Sequence, residues 1–371
     1  MDAAQLATTT FGVLLCTFAL SVVLGAVLHG SHFCTLGAIS DWLVMQDTSR
    51  MKQWALAAAV AIWGFAGMQW AGWIDPRQSI YGADKMLWLA CLLGGGLFGV
   101  GMVLASGCTS KALVRLGAGN LKSLVVLLVM GIFGLATLKG LLAVWRVNSL
   151  ESVYLYAPNQ GFVGSWLAVQ TGWPIANASA LVAVCVGAAL CLWALHDRSP
   201  SQASMRWGGV AVGGAVMALW WISGVWGHGL EHPETLEAFY MATSSGRMES
   251  FSFTSPVAMW LDAFMYFSDG SKRLTIGMVS VVGVAVGACL HALRSGTFRW
   301  EGFTQRSDLV RHVIGGALMG VGGVTAMGCT IGQGLSGLST LSWMSLWTLL
   351  AIVVGAGLAL LWQSRQLDRQ T

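Results

Sequence analysis

Three cysteines stand where a thiol could do chemistry. Cys34, Cys108 and Cys329 each lie at the edge of an apolar run, and each is followed directly by threonine: Cys34-Thr35, Gly107-Cys108-Thr109 and Gly328-Cys329-Thr330. A thiol is a weak hydrogen-bond donor with a polarizable sulfur. A preceding glycine lets the backbone approach a ligand closely. Each Gly-Cys-Thr is followed by a segment too short to cross a membrane, Ser110 to Leu116 and Ile331 to Leu338. The chain is therefore expected to break at the cysteine and restart as a half-helix with Thr or Ser at its N-terminal cap. The free N–H groups and partial positive charge of such a start suit a small anion. Thiol, glycine and half-helix together fit a small, soft, sulfur-containing anion better than sodium or a hydrocarbon. Capture of a metal by thiolates is the competing chemistry, but there is one cysteine per break and no adjacent carboxylate, so neither metal nor cofactor is expected.

The other five cysteines, Cys16, Cys91, Cys185, Cys191 and Cys289, lie inside apolar runs, where a thiol serves as a small hydrophobe. No Cys-x-x-Cys occurs, which weighs against a redox pair or a zinc ribbon.

Two of the three motifs belong to a duplicated element. Residues 94–109 (GGGLFGVGMVLASGCT) and 315–330 (GGALMGVGGVTAMGCT) share 11 of 16 positions without a gap. Close helix packing explains the Gly-x-x-x-Gly steps, Gly95 to Gly99 and Gly316 to Gly320. It does not explain the shared Cys-Thr. A weaker echo pairs Leu28-His29 and Cys34-Thr35 with Leu290-His291 and Gly296-Thr297 at equal spacing, as if each half opened with a related segment.

The elements that position these residues must be membrane helices. The 371 residues are 56% hydrophobic and 10% charged, against roughly a quarter charged in soluble domains. The basic residues sit singly and never cluster into a stripe, so no nucleic-acid partner is expected. A bilayer core needs about 20 apolar residues per helix. Runs of that kind occur at roughly 10–29, 53–73, 86–105, 121–145, 174–195, 208–226, 274–293, 310–327 and 342–362. The expected fold is an all-α integral membrane protein of about nine transmembrane helices with short broken or re-entrant helices. Two shorter apolar stretches, near Gly161 to Val169 and Pro256 to Phe267, suit interfacial or re-entrant helices. The first run has no basic segment before it and is too long for a signal peptide, so it is read as a retained span.

Counting Lys and Arg in alternate loops gives 13 on one side and 6 on the other. The positive-inside rule then puts the N-terminus outside and the C-terminus in the cytoplasm. On that topology the two Gly-Cys-Thr copies open toward opposite faces. Inverted repeats of this kind mark transporters and channels, with the site between the repeats. We expect one transport domain over 1–371, repeat one spanning about 10–146 and repeat two about 174–362.

These residues resemble the YeeE/YedE family of bacterial inner-membrane proteins over most of the chain. The resemblance is carried by His32-Phe33-Cys34-Thr35-Leu36-Gly37-Ala38-Ile39, the two Gly-Cys-Thr elements and Gly296-Thr297-Phe298-Arg299-Trp300. It implies uptake of thiosulfate or a related sulfur compound through a nine-span inverted-repeat fold, with Cys34, Cys108 and Cys329 as pathway thiols that pass the anion inward. It also implies partnership with a TusA-like sulfur-carrier protein. The long segment Gly227 to Arg273 departs from the thiosulfate members and leaves another sulfur or selenium species as an alternative substrate. A membrane thiol oxidoreductase is a further alternative; it would need cysteine pairs near enough to bond.

Some other residues draw attention. His228-Gly229-Leu230-Glu231-His232 fits a metalloprotease pattern that requires a helix, which Gly229 and Pro233 oppose. Asn177-Ala178-Ser179 begins an apolar run and carries no weight as a glycosylation site. His29 and His291 read as polar groups near an interface. Lys139 falls inside the fourth run, where it could meet substrate or form an interior ion pair. Lys111 could draw an anion to the inner mouth. Trp70, Trp73, Trp220 and Trp221 read as aromatic belts.

Overall fold

A chain in hydrocarbon must satisfy its backbone N–H and C=O groups within each segment, and continuous helix does so. The computed structural model describes residues 3–158, 160–196, 203–229, 238–269 and 273–368. In chain order its helices are α1 (Ala3–Gly30), α2 (Thr35–Ser40), α3 (Ser49–Trp70), α4 (Trp88–Leu104), α5 (Thr109–Gly117), α6 (Leu121–Lys139) and α7 (Leu141–Ser149). There follow α8 (Val163–Thr171), α9 (Ile175–Leu195), α10 (Ala203–Trp221), α11 (Thr254–Met265), α12 (Ile276–Arg294), α13 (Arg306–Thr325) and α14 (Trp343–Asp368). A π-helical turn, Gly332–Gly337, joins α13 to α14.

Nine of these helices (α1, α3, α4, α6, α9, α10, α12, α13 and α14) coincide with the nine apolar runs. Among the described residues, seven helical stretches are long and apolar enough to cross a membrane. α3 and α13 are as long but more polar. α3 opens on Ser49-Arg50-Met51-Lys52-Gln53 and α13 carries Arg306, Asp308, Arg311 and His312 in its first two turns. The two shorter apolar stretches form α8 and α11, of 9 and 12 residues.

The duplicated helices α4 and α13 pack directly on each other and run antiparallel. A methyl at Gly94 would stand 2.6 Å from the Ala326 amide, whereas one at Gly101 would stand 2.8 Å from Gly315. The glycines thus let two backbones touch where any side chain would part them. By contrast α1 and α12 run parallel: Gly25 faces Val284 and Gly30 faces His291. Their last turns meet where His29 Nδ1 and His291 Nδ1 lie 3.0 Å apart. The Leu-His echo therefore joins two parallel neighbours at one end of the molecule and is no part of the antiparallel relation of the Gly-Cys-Thr copies.

Helix packing follows a second pattern. Exchanging α1 with α10, α3 with α12, α4 with α13 and α6 with α14 turns one set of contacts into another: α4 on α14 becomes α13 on α6, and α1 on α12 becomes α10 on α3. Likewise α2 on α14 becomes α11 on α6. The partner of the first helix in this exchange is α10, which starts at 203, rather than the run at 174.

Loops gather at two ends. At one, Arg299 N–H donates to Ala118 O, Leu121 N–H to Glu301 O, and Lys122 pairs with Asp308 at 2.7 Å. At the other, β1 (Lys85–Met86) pairs antiparallel with β2 (Leu155–Tyr156), and β3 (His228–Gly229) with β4 (Phe239–Tyr240). His228 stacks on Tyr240 in that strand pair; Glu231 and His232 lie outside the described residues. Lys139 forms an ion pair with Asp262 of α11 at 2.7 Å. Trp70, Trp73 and Trp221 are exposed, but Trp220 is fully buried and donates its indole N–H to Ser339 Oγ at 3.0 Å. It belongs to the core, with Phe65 and Tyr81 against its ring edges, and not to a belt.

Candidate functional site

The three cysteines share one local geometry. α4 ends in a turn where Gly107 N–H donates to Met102 O (2.8 Å) and Ser106 N–H to Val103 O (3.2 Å), with Ser106 left-handed at φ 56°. α13 ends the same way at the matching residues: Gly328 N–H to Gly323 O (2.8 Å), Met327 N–H to Val324 O (3.1 Å), Met327 at φ 58°. This is the Schellman closure of a helix C-terminus. α1 also ends on a left-handed residue, His32 at φ 53°. In all three places the cysteine stands two residues after the left-handed one. The turn ends the helix, and the next helical segment follows the cysteine within three residues.

Cys34 and Cys108 hold the N-cap positions of α2 and α5, and Cys329 stands three residues before the π-helical turn. Cys34 O accepts from Ala38 N–H (3.0 Å), Cys108 O from Ala112 N–H (2.9 Å) and Cys329 O from Gln333 N–H (2.8 Å), the first bonds of α2, α5 and the π-helical turn. Cys34 Sγ accepts from Gly37 N–H at 3.3 Å, and Cys329 Sγ from Gly332 N–H at 3.4 Å. The cap expected from Thr or Ser is therefore the cysteine, with Thr35 and Thr109 as first helical residues. A sulfur reaches the third amide as a serine oxygen would, and this releases the threonine hydroxyls. Thr35 Oγ1 accepts from Trp54 Nε1 (3.2 Å), while Thr109 Oγ1 meets Thr254 Oγ1 (3.1 Å) and Met130 Sδ (3.4 Å). Thr330 Oγ1 is buried and has no hydrogen-bond partner among the described residues. Cys108 Sγ meets Ser110 Oγ at 3.3 Å.

The thiols differ in burial. Cys34 is partly exposed in an open cleft of about 410 Å³ that His32, Asp41, Arg50, Lys111 and Arg115 also line. Cys108 and Cys329 are fully buried. The Cys34 cleft is also lined by Ser106 and Lys111, which flank Cys108 in the chain, and Thr109 beside Cys108 meets Thr254 at the start of α11. Gly107 accommodates the stem of Lys111, whose Cγ would lie 3.2 Å from a methyl there; Gly328 accommodates Gln333 in the same manner, at 3.0 Å.

Comparison with known proteins bears directly on this arrangement. A family model described as "Sulphur transport" matches residues 30–358. The chain belongs to the sulphur transport family. Its members carry sulfur compounds across membranes, so this is a multi-pass membrane transport protein and not an enzyme. The chain is 26% identical over 333 residues to the "Thiosulfate transporter TsuA" of Spirochaeta thermophila, covering 86% of this chain and 91% of that protein. It is 25% identical over 359 residues to the "Thiosulfate transporter TsuA" of Escherichia coli, covering 93% of each. The family match begins four residues before Cys34 and ends inside α14, so it takes in all three capped cysteines.

Sequence reasoning missed three residues around this candidate site. Tyr81, fully buried, donates its hydroxyl to the carbonyl oxygen of Gly332, the residue whose own N–H donates to Cys329 Sγ. It comes from an irregular loop with no periodic signal. Thr254 starts α11 and meets Thr109. Phe253 holds the N-cap position of α11 as Cys34 holds that of α2. The α2–α11 exchange would have marked Phe253-Thr254 as the counterpart of Cys34-Thr35, but that correspondence lies in packing and not in spacing.

Proposed function

We propose that this protein takes up a small sulfur-containing anion, thiosulfate foremost, across the bacterial inner membrane, along a route lined by Cys329, Cys108 and Cys34. Gly107, Thr109, Gly328, Thr330 and Thr35 shape that route. The observation that carries the reading is the shared geometry: three cysteines, each two residues after a left-handed residue and each accepting the first backbone hydrogen bond of the short helical segment that follows. The thiosulfate transporters among its relatives supply the substrate.

The chemistry is recognition without reaction. Helix N-termini turn N–H groups and positive dipole ends toward the cysteines, which favours an anion at low dielectric. Each thiol donates S–H to a terminal sulfur or oxygen and releases it, because S–H donors are weak. A route needs sites that bind well enough to admit the ion and weakly enough to let it go. Two halves related by inversion, α1–α6 and α10–α14, would bracket the route, with nine helices crossing, the N-terminus outside and the C-terminus in the cytoplasm. Hand-over to a TusA-like sulfur carrier at the Cys34 end belongs to the same proposal.

The test is growth on thiosulfate of a bacterial strain without its own thiosulfate uptake. The parent chain is expected to restore growth, and Cys34→Ala, Cys108→Ala and Cys329→Ala each to impair it, with membrane levels checked by immunoblot. Undiminished growth of all three variants would overturn the route.

A further inference from the structure

We propose that the cleft at Cys34 is a binding site for a divalent oxyanion, with Lys111 as the residue that sets its charge preference. The inference rests on the reading of the three thiols as an anion route and places a definite site on it.

Two polar clefts lie side by side at this end of the molecule and share Ser106 and Arg115. In the outer one, of about 470 Å³, carboxylates answer the cations. Asp308 takes Lys122 at 2.7 Å and His312 at 3.0 Å, and Glu301 accepts from Asn120 at 2.6 Å. The Cys34 cleft is different. Arg50, Lys111 and Arg115 line it together with His32, against one carboxylate, Asp41.

Two of these cations are fixed. Arg50 lies over Gly37 and reaches Asp41 at 3.3 Å. Arg115 donates to Ser106 O at 2.8 Å, the carbonyl of the left-handed turn before Cys108. Lys111 has no ion-pair partner among the described residues, and its stem rests on Gly107. It lines the same cleft as Cys34 and follows Cys108 by three residues. The second Gly-Cys-Thr copy carries Gly332 at the matching place, so packing of the motif does not require a lysine. Three cations against one carboxylate leave two positive charges with His32 neutral. A dianion neutralises that excess and a monoanion leaves half of it.

The experiment uses the full chain purified in detergent at low salt. Modification of Cys34 is followed by peptide mass spectrometry, so that the exposed Cys16 and Cys185 do not contribute. Rates are compared for an anionic reagent, sulfonatoethyl methanethiosulfonate, and a cationic one, trimethylammonioethyl methanethiosulfonate, each normalised to a free thiol. The anionic reagent is expected to be favoured about tenfold, less so as salt screens the cleft. Sulfate and thiosulfate should slow it, and chloride at equal ionic strength should not. Lys111→Met is expected to abolish both effects and Lys111→Arg to keep them.

No anionic preference in the parent chain, or chloride protecting as well as sulfate, would overturn the proposal. So would an unchanged preference in Lys111→Met. The parent measurements decide alone if that variant does not fold. None of these readings depends on uptake, so failure of the site and failure of the thiol route in the growth test are separate outcomes.

Discussion

Thr109 and Thr330 hold the same place in the two Gly-Cys-Thr elements, yet their hydroxyls differ. Thr109 Oγ1 is held by Thr254 and Met130, whereas Thr330 Oγ1 is buried without a partner among the described residues. A buried hydroxyl left unpaired costs about 1–3 kcal/mol, and a paired one contributes about 1. Valine is nearly isosteric with threonine, so the two substitutions should part. Thr109→Val is expected to lower the thermal midpoint in detergent by an amount equivalent to about 1 kcal/mol. Thr330→Val should leave it unchanged or raise it while lowering thiosulfate uptake, since the proposed route uses that hydroxyl as a donor beside Cys329. Full uptake by Thr330→Val would remove Thr330 from the route. At this scale the sequence singled out the three cysteines that the structure places after left-handed turns, because only three of eight sit at the edges of apolar runs. It was misleading about the caps, because threonine outranks cysteine as a capping residue in general, and only the folded chain shows sulfur accepting the third amide.

The turn that precedes each cysteine is a unit of structure in its own right. His32, Ser106 and Met327 are three different residue types in one left-handed conformation, which costs a non-glycine residue about 1–2 kcal/mol. That is why the turn could not be read in advance: glycine marks this position in most helix ends, and here the glycines of the motif stand one residue later. The position of the break was legible from the shortness of the segment after each Gly-Cys-Thr. Ser106 is exposed, so replacing it loses little packing. Ser106→Gly is expected to raise stability by about 0.5–1 kcal/mol through relief of the left-handed strain. Ser106→Val should lower it by more than about 1 kcal/mol, because a β-branched side chain is a genuine outlier there. Equal thermal midpoints for the two variants would mean that the turn relaxes out of this conformation and does not aim Cys108.

Taken whole, the molecule has two unequal ends, and the inequality is electrostatic. The loops and helix ends that meet around Ala118, Glu301 and Asp308 carry Lys111, Arg115, Lys122, Arg299, Arg306 and Arg311, and the Cys34 cleft opens among them with Arg50. The end with the two strand pairs carries Arg77, Lys85, Arg146 and Arg247, two of which are answered locally by Asp75 and Glu151. The nine apolar runs and the two-end division could be read from hydropathy and charge because lipid imposes both directly. Which helices touch was not legible. The Leu-His echo suggested equivalent segments, but α1 and α12 are neighbours, and the exchange of α1 with α10 emerges only from contacts. The proposed orientation, taken from positive-inside asymmetry, puts the richer end in the cytoplasm, and on it the anion would leave through the Cys34 cleft. A C-terminal green fluorescent protein fusion should then fluoresce in cells, and a C-terminal alkaline phosphatase fusion should be inactive. An impermeant sulfonate thiol reagent should modify Cys34 in inside-out vesicles and spare it in right-side-out ones. The opposite labelling pattern would place the basic cleft on the outer face, where its unpaired lysine would gather anions for entry instead of receiving them at exit.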